Sequence, residues 1–93
     1  MPHKFLVHAK DDSVGVAVQE IRAGESVEGI ILDCGSTVLV EALQNIPLGH
    51  KIALIQIGDA ETVRKYGESI GKSIAVIRRG EHVHVHNLKS TRW

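Results

Sequence analysis

The chain has too few residues of several kinds to fit a number of large protein classes. Cys34 is the only cysteine, so no internal disulfide can form and a disulfide-stapled scaffold is excluded. No stretch approaches the ~18–20 apolar residues of a membrane helix, and no apolar signal segment follows Met1. Eleven basic residues balance eleven acidic ones, which leaves no net basic charge for binding nucleic acid. We therefore expect a soluble cytoplasmic protein with neither a membrane nor a nucleic-acid partner.

Aromatic residues are almost absent as well. Phe5, Tyr66 and Trp93 are the only three among 93 residues, although hydrophobic residues make up 43% of the chain. Valine and isoleucine supply much of that fraction, and β-branched side chains favour strands over helices. A chain of this length forms one domain, so residues 1–93 are predicted to be a single, mostly β unit.

A seven-residue pattern occurs four times, at 21–27, 46–52, 57–63 and 77–83. Each copy has an aliphatic residue, two turn residues, Gly or Ala, a polar pair, and Val or Ile. Such a pattern predicts a strand end, a tight turn whose third residue tolerates positive φ, and a new strand. The spacings are unequal, so the copies indicate corners of one compact domain rather than a solenoid.

The pattern and its surroundings predict short strands with at most one or two short helices. Segment 11–19 can form either a helical turn or a strand, and Gly71 is a candidate bulge. Residues 33–36 are predicted to close a hairpin. The predicted strands are 4–8, 26–32, 37–43, 50–55, 63–66, 69–77 and 83–88.

The candidate chemistry lies in the run Glu81–Asn87, in which His82, His84 and His86 alternate with valines. On a strand the three imidazoles would share one face, with Val83 and Val85 on the other. His82 and His84 could then give two neutral nitrogen ligands to a metal, or the imidazoles could act as general acid or base. The alternative is an exposed edge strand whose imidazoles only meet solvent and neighbours.

Two further pairs are candidates for binding substrate. His50 and Lys51 replace the usual polar pair in the second copy of the pattern, and suit a carboxylate or sulfonate. Lys65 and Tyr66 could orient a substrate that carries a hydroxyl group. The alternatives are a solvated turn for the first pair and, for Tyr66, a simple anchor in the core.

Several motifs occur in an order that resembles a known family. They are His3–His8, Asp12–Ala17, Ile46–Leu54, Lys65–Gly71 and Gly80–Asn87. Together they resemble the SAF-type domain of the altronate and galactarate dehydratase family. The resemblance implies a β-clip fold, which is either fused to a larger domain or encoded as a separate small subunit.

The resemblance also implies an activity, namely β-elimination from a 2-hydroxy acid, releasing water from a sugar acid or sulfite from sulfolactate. It implies a divalent metal, Fe²⁺ by preference, that is shared with or held by a large catalytic subunit. His84, His86 and Asn87 would then touch metal or substrate, and His50 with Lys51 would hold the acid group. The isolated chain would be inactive and could form a homo-oligomer, with Trp93 packing on the large subunit. Two other readings stay open, namely a binding module and a purely structural subunit.

Overall fold

The computed structural model describes residues 3–65 and 68–90, and every regular element within them is a strand. The prediction of a mostly β domain is confirmed. No helix among these residues is long and apolar enough to cross a membrane. Tyr66 and Trp93 lie outside the described residues. The strands are β1 His3–Val7, β2 Val14–Ala17, β3 Ser26–Ile31, β4 Thr37–Glu41, β5 Lys51–Ala53, β6 Thr62–Lys65, β7 Glu68–Ser73, β8 His82–Val83 and β9 Leu88–Ser90.

The strands form two sheets. The larger has the order β4-β3-β1-β2-β5-β8 and the smaller β6-β7-β9. Among the described strands, only β1 and β3 pair in parallel, and all other neighbours are antiparallel. Beyond β4, the Leu43 amide donates to the Gly80 carbonyl (2.9 Å), just before β8. This bond brings the two ends of the larger sheet together, so that the sheet curls.

All four copies of the repeated pattern form the predicted turn. The third turn residue has positive φ in each: 91° at Gly24, 86° at Gly49, 60° at Ala60 and 90° at Gly80. The leading isoleucines pair in two antiparallel bridges, Ile21 with Ile46 and Ile57 with Ile77. All four are at most 2% exposed. The pattern therefore marks the corners of the domain and also supplies part of its core.

One of the four turns lacks a cap that the other three share. The amide of the first turn residue donates to a glutamate carboxylate three residues later, in the pairs Arg22–Glu25, Gly58–Glu61 and Arg78–Glu81. The second turn begins with Pro47, which has no amide hydrogen to donate. No carboxylate is therefore needed three residues on, and that position carries His50.

Two adjoining clusters of aliphatic side chains form the core, with Phe5 in the larger one. Phe5 is fully buried, and a Cβ at either Gly15 or Gly29 would overlap its ring. Gly15 thus lies within strand β2 because the only described aromatic of the core needs that space.

Several predicted element boundaries change. Segment 11–19, left open between helix and strand, contains strand β2. The prediction of a strand over 69–77 is too long, because β7 ends at Ser73, whose buried hydroxyl group donates to the Gly58 carbonyl. The predicted bulge lies next to Gly71, since the register with β6 shifts between Ser69 and Gly71. A continuous strand over 83–88 is wrong, because a turn separates β8 from β9.

Candidate functional site

The histidine run begins as the short strand β8 and then forms a turn, rather than continuing as a strand. The His84 carbonyl accepts hydrogen bonds from the amides of Asn87 (3.1 Å) and Leu88 (2.9 Å), which turns the chain straight after β8. Val83 is fully buried whereas Val85 is 79% exposed, so the prediction that these valines share a face is wrong. The valines favoured a strand locally, but hydrogen bonds within the run close a turn instead.

Two amide side chains hold the backbone of this turn. Asn87 Oδ1 accepts from the His84 amide (2.9 Å), and Asn87 Nδ2 donates to the His82 carbonyl (2.8 Å). From outside the run, Gln44 Oε1 accepts from the His82 amide (2.9 Å). Asn87 therefore uses its amide group to brace the turn, while its predicted contact with metal or substrate stays a prediction.

The turn brings histidines together with a fourth from another element. His50 Nδ1 lies 2.8 Å from His82 Nε2, and the His50 ring stacks on His84 with 3.9 Å between centroids. The pairing of Lys51 with Val83 between β5 and β8 creates this proximity. His86 is exposed, with its ring centroid 5.0 Å from that of His82. We call His50, His82 and His84 the histidine cluster.

The surroundings of the cluster favour neutral imidazoles. Burial lowers the pKa of His82 below its ordinary value of 6.5, and the nearby His86, His50 and His84 lower it further. Burial also lowers the pKa of His84, with smaller effects from His50, Lys51 and His86. Neutral imidazole is the form that binds a metal ion or accepts a proton.

The donor set fits a divalent metal ion. One nitrogen from each member of the cluster can be chosen so that all three lie within 4.8 Å of one another. Three nitrogens on one metal ion lie about 3.3 Å apart, so small side-chain rotations bring the cluster to that spacing. His84 Nδ1 is buried without a hydrogen-bond partner in the structure, as expected of an atom reserved for a ligand. Among the described residues, this is the one group of metal-binding side chains that meets these distances.

Lysines border the cluster. Lys51 follows His50 directly and is half-buried, and its burial lowers its pKa, with a smaller effect from the charge of Lys65. The charge of Lys65 therefore reaches Lys51. Tyr66, predicted to bind substrate with Lys65, lies outside the described residues.

Comparison with known proteins identifies the family. The family model described as the altronate/galactarate dehydratase SAF domain matches residues 3–91. The chain belongs to this family.

Curated relatives contain the SAF domain in two settings. The chain is 47% identical over 90 residues to the protein named (2R)-sulfolactate sulfo-lyase subunit alpha of Chromohalobacter salexigens, covering 96% of both chains. It is 41% identical over 64 residues to the protein of the same name from Paracoccus pantotrophus, covering 69% of this chain and 96% of that relative. It is 37% identical over 86 residues to altronate dehydratase of Bacillus subtilis, covering 92% of this chain but only 16% of that enzyme. The SAF domain thus occurs both as a small subunit and as a minor part of a long chain.

The structure brings the candidate site residues together in a different grouping from the predicted one. His50 was expected to hold an acid group, yet it lies in the same cluster as the predicted metal ligands His82 and His84. A signal for this was present, since the second turn is the one that replaces glutamate with histidine. Gln44 carried no signal, because its role depends on a contact with a residue 38 positions away.

Proposed function

We propose that this SAF domain is the small subunit of a hydroxy-acid lyase that releases sulfite from (2R)-sulfolactate. The observation that carries the proposal is the match to a protein named subunit alpha of that lyase, at 47% identity over 96% of both chains. The dehydratases are less similar and contain the domain within a longer chain. Release of water from a sugar acid is therefore the second candidate.

In this proposal the histidine cluster holds a divalent metal, with Fe²⁺ as the first choice. His50, His82 and His84 would supply neutral nitrogen ligands. Such an ion would act as a Lewis acid towards the carboxylate and hydroxyl of a 2-hydroxy acid, which makes the C2 proton easier to remove. Three protein ligands leave coordination positions for the substrate.

The remaining residues would position the substrate and move its proton. Lys51 and Lys65 suit an anionic group, which in sulfolactate is the sulfonate. His86 is exposed beside His82, and its imidazole could accept the C2 proton. As that proton leaves, the C3–S bond breaks, its electron pair departs with sulfite, and the enol product rearranges to pyruvate. The rest of the catalytic groups would belong to the large subunit.

The proposal is tested by reconstituting the chain with the large subunit of a (2R)-sulfolactate sulfo-lyase. We expect sulfite release from (2R)-sulfolactate by the complex, little activity with altronate, and no turnover by either subunit alone. His84→Ala should still assemble, but should lose activity by at least about a hundredfold together with bound iron measured by elemental analysis.

His3→Ala is the matched control. His3 is likewise a half-buried histidine, but it lies on strand β1 and its Nε2 pairs with Glu28 Oε1 (3.4 Å) outside the cluster. This variant should keep both activity and iron. Full activity of the assembled His84→Ala complex would refute a role for the cluster, and turnover of altronate in preference to sulfolactate would favour the dehydratase.

A further inference from the structure

The two turns that carry the histidine cluster also display two large aliphatic side chains. Leu48 is 66% exposed and lies two residues before His50. Val85 is 79% exposed and follows His84 directly. Because the His50 and His84 rings stack with 3.9 Å between centroids, the two turns that carry these side chains meet at the cluster. We call Leu48 and Val85 the aliphatic pair.

The four equivalent corner turns give an internal comparison for Leu48. The second turn residue is Ala23, Leu48, Asp59 or Arg79 in chain order. Only the turn beside the cluster presents a large aliphatic side chain to solvent there, so the turn geometry itself does not require one. Val85 is likewise unusual for a turn, where glycine, asparagine, aspartate and serine are preferred. Other large hydrophobic residues are exposed too, but Leu48 and Val85 are the ones that lie on the two turns carrying the cluster.

The charge around the cluster is also one-sided. Apart from the imidazoles themselves, the charged side chains that act on His84 and Lys51 among the described residues are Lys51 and Lys65, which are both cationic. No carboxylate joins the cluster within the described part of the chain. A metal-dependent elimination needs further groups besides nitrogen ligands, and among the described residues no carboxylate lies within ligand distance of the cluster. A partner that covers it would fit best with apolar pockets bordered by carboxylates.

We propose that the aliphatic pair anchors the second subunit of the lyase, whose surface closes over the histidine cluster. The existence of that subunit rests on the proposed function, whereas the location of its contact rests on the exposure and position of Leu48 and Val85. The altronate dehydratases support such an occupant, because the SAF domain matches only 16% of their chains and the rest of each enzyme is joined to it covalently. Burial of both side chains in apolar pockets of the partner would favour binding, and a charge introduced at these positions would oppose it.

The experiment measures binding of the full chain to the purified large subunit of the lyase, by titration calorimetry and co-elution. The test variant is Leu48→Asp/Val85→Asp, with Leu48→Ser/Val85→Ser as a milder version. Leu32→Asp is the matched control, because Leu32 is 50% exposed and its amide donates to the Val7 carbonyl. Leu32 is therefore remote from the cluster, because the His50 carbonyl accepts from the Ala17 amide, at the other end of the paired strands β1 and β2 from Val7. Cobalt(II) binding to each isolated variant, followed by absorption, reports whether the cluster is intact.

We expect the aspartate double variant to bind the large subunit at least about tenfold more weakly, the serine variant to be intermediate, and Leu32→Asp to match the unmodified chain. All of them should bind cobalt(II) alike. Unchanged affinity of the aspartate variant, equal loss in Leu32→Asp, or no binding by the unmodified chain would each overturn the proposal. Failure of the unmodified chain to bind cobalt(II) would count against the metal role alone, and so separates the two proposals.

Discussion

Asn87→Ala would remove two hydrogen bonds at once from the turn that holds His82 and His84. The lost bonds join Asn87 Oδ1 to the His84 amide and Asn87 Nδ2 to the His82 carbonyl. Each is worth about 1 kcal/mol net, and the backbone groups left behind are half-buried, so we expect the free energy of unfolding to fall by about 2–3 kcal/mol. Because both bonds fix cluster residues, affinity for cobalt(II) should also fall, by about tenfold or more.

Asn45→Ala is the matched control for this change. Asn45 is exposed and its Oδ1 accepts one bond, from the Ala23 amide (2.9 Å), in a turn without cluster residues. Its loss should cost only about 0.5–1 kcal/mol and leave cobalt(II) affinity unchanged. Urea denaturation followed by circular dichroism gives the free energies, and absorption gives the metal affinity. Equal stability losses in the two variants, with cobalt(II) affinity unchanged in both, would refute the role of Asn87 as the brace of the site.

Three further predictions concern pH, backbone conformation and packing. The pKa values of His82 and His84 in the folded chain lie below 6.5. As the pH falls, these two residues therefore take up protons in the unfolded chain before they do so in the folded chain. The free energy of unfolding should therefore be highest above pH 6.5 and decrease as the pH falls through the lower pKa values of the folded chain, which urea midpoints at about pH 7.5 and 5.5 would reveal. A His82→Gln/His84→Gln variant should lose less stability between these two pH values. An equal loss in that variant would contradict the role of these two histidines. Ala60→Gly should stabilise the chain by up to about 1 kcal/mol, because Ala60 has a φ of 60°. Gly24→Ala should destabilise the chain, because Gly24 has a φ of 91°. The reverse order of melting temperatures would contradict this reasoning. Gly29→Ala should cost about 1–3 kcal/mol, because its Cβ would overlap the ring of Phe5, and an unchanged melting temperature would show that the ring can move aside.

The parts of the fold that the sequence predicted are those set by neighbouring residues. Each corner turn needs an aliphatic residue, a position that tolerates positive φ, and a following strand, all within seven residues. That is why residues 24, 49, 60 and 80 could be assigned to turns before any contact was known. The hairpin at 33–36 follows the same logic, since its Gly35 has a φ of 73° between the paired strands β3 and β4.

The histidine run was predicted wrongly for an equally physical reason. Alternating histidine and valine favours a strand locally, but the Asn87 side chain bonds to backbone groups three and five residues earlier and holds a turn. The membership of His50 in the cluster was hidden too, because it depends on the pairing of Lys51 with Val83, 32 residues apart. Neither effect has a local signature, although the imidazoles still converge as the histidine pattern suggested.

The second turn of the repeated pattern differs from the other three, and this difference indicates how the site could arise from a turn that is otherwise structural. In three turns a glutamate side chain satisfies the first amide, so changing that glutamate would leave a donor without its cap. Pro47 removes the donor itself, which makes the fourth position of the second turn free to vary at little cost in stability. His50 occupies this position, and the pairing of β5 with β8 carries it to His82 and His84. Proline at the start of the turn is therefore what allows the cluster to form. With Pro47 the turn is stable without a glutamate three residues later, so that position can carry a histidine instead.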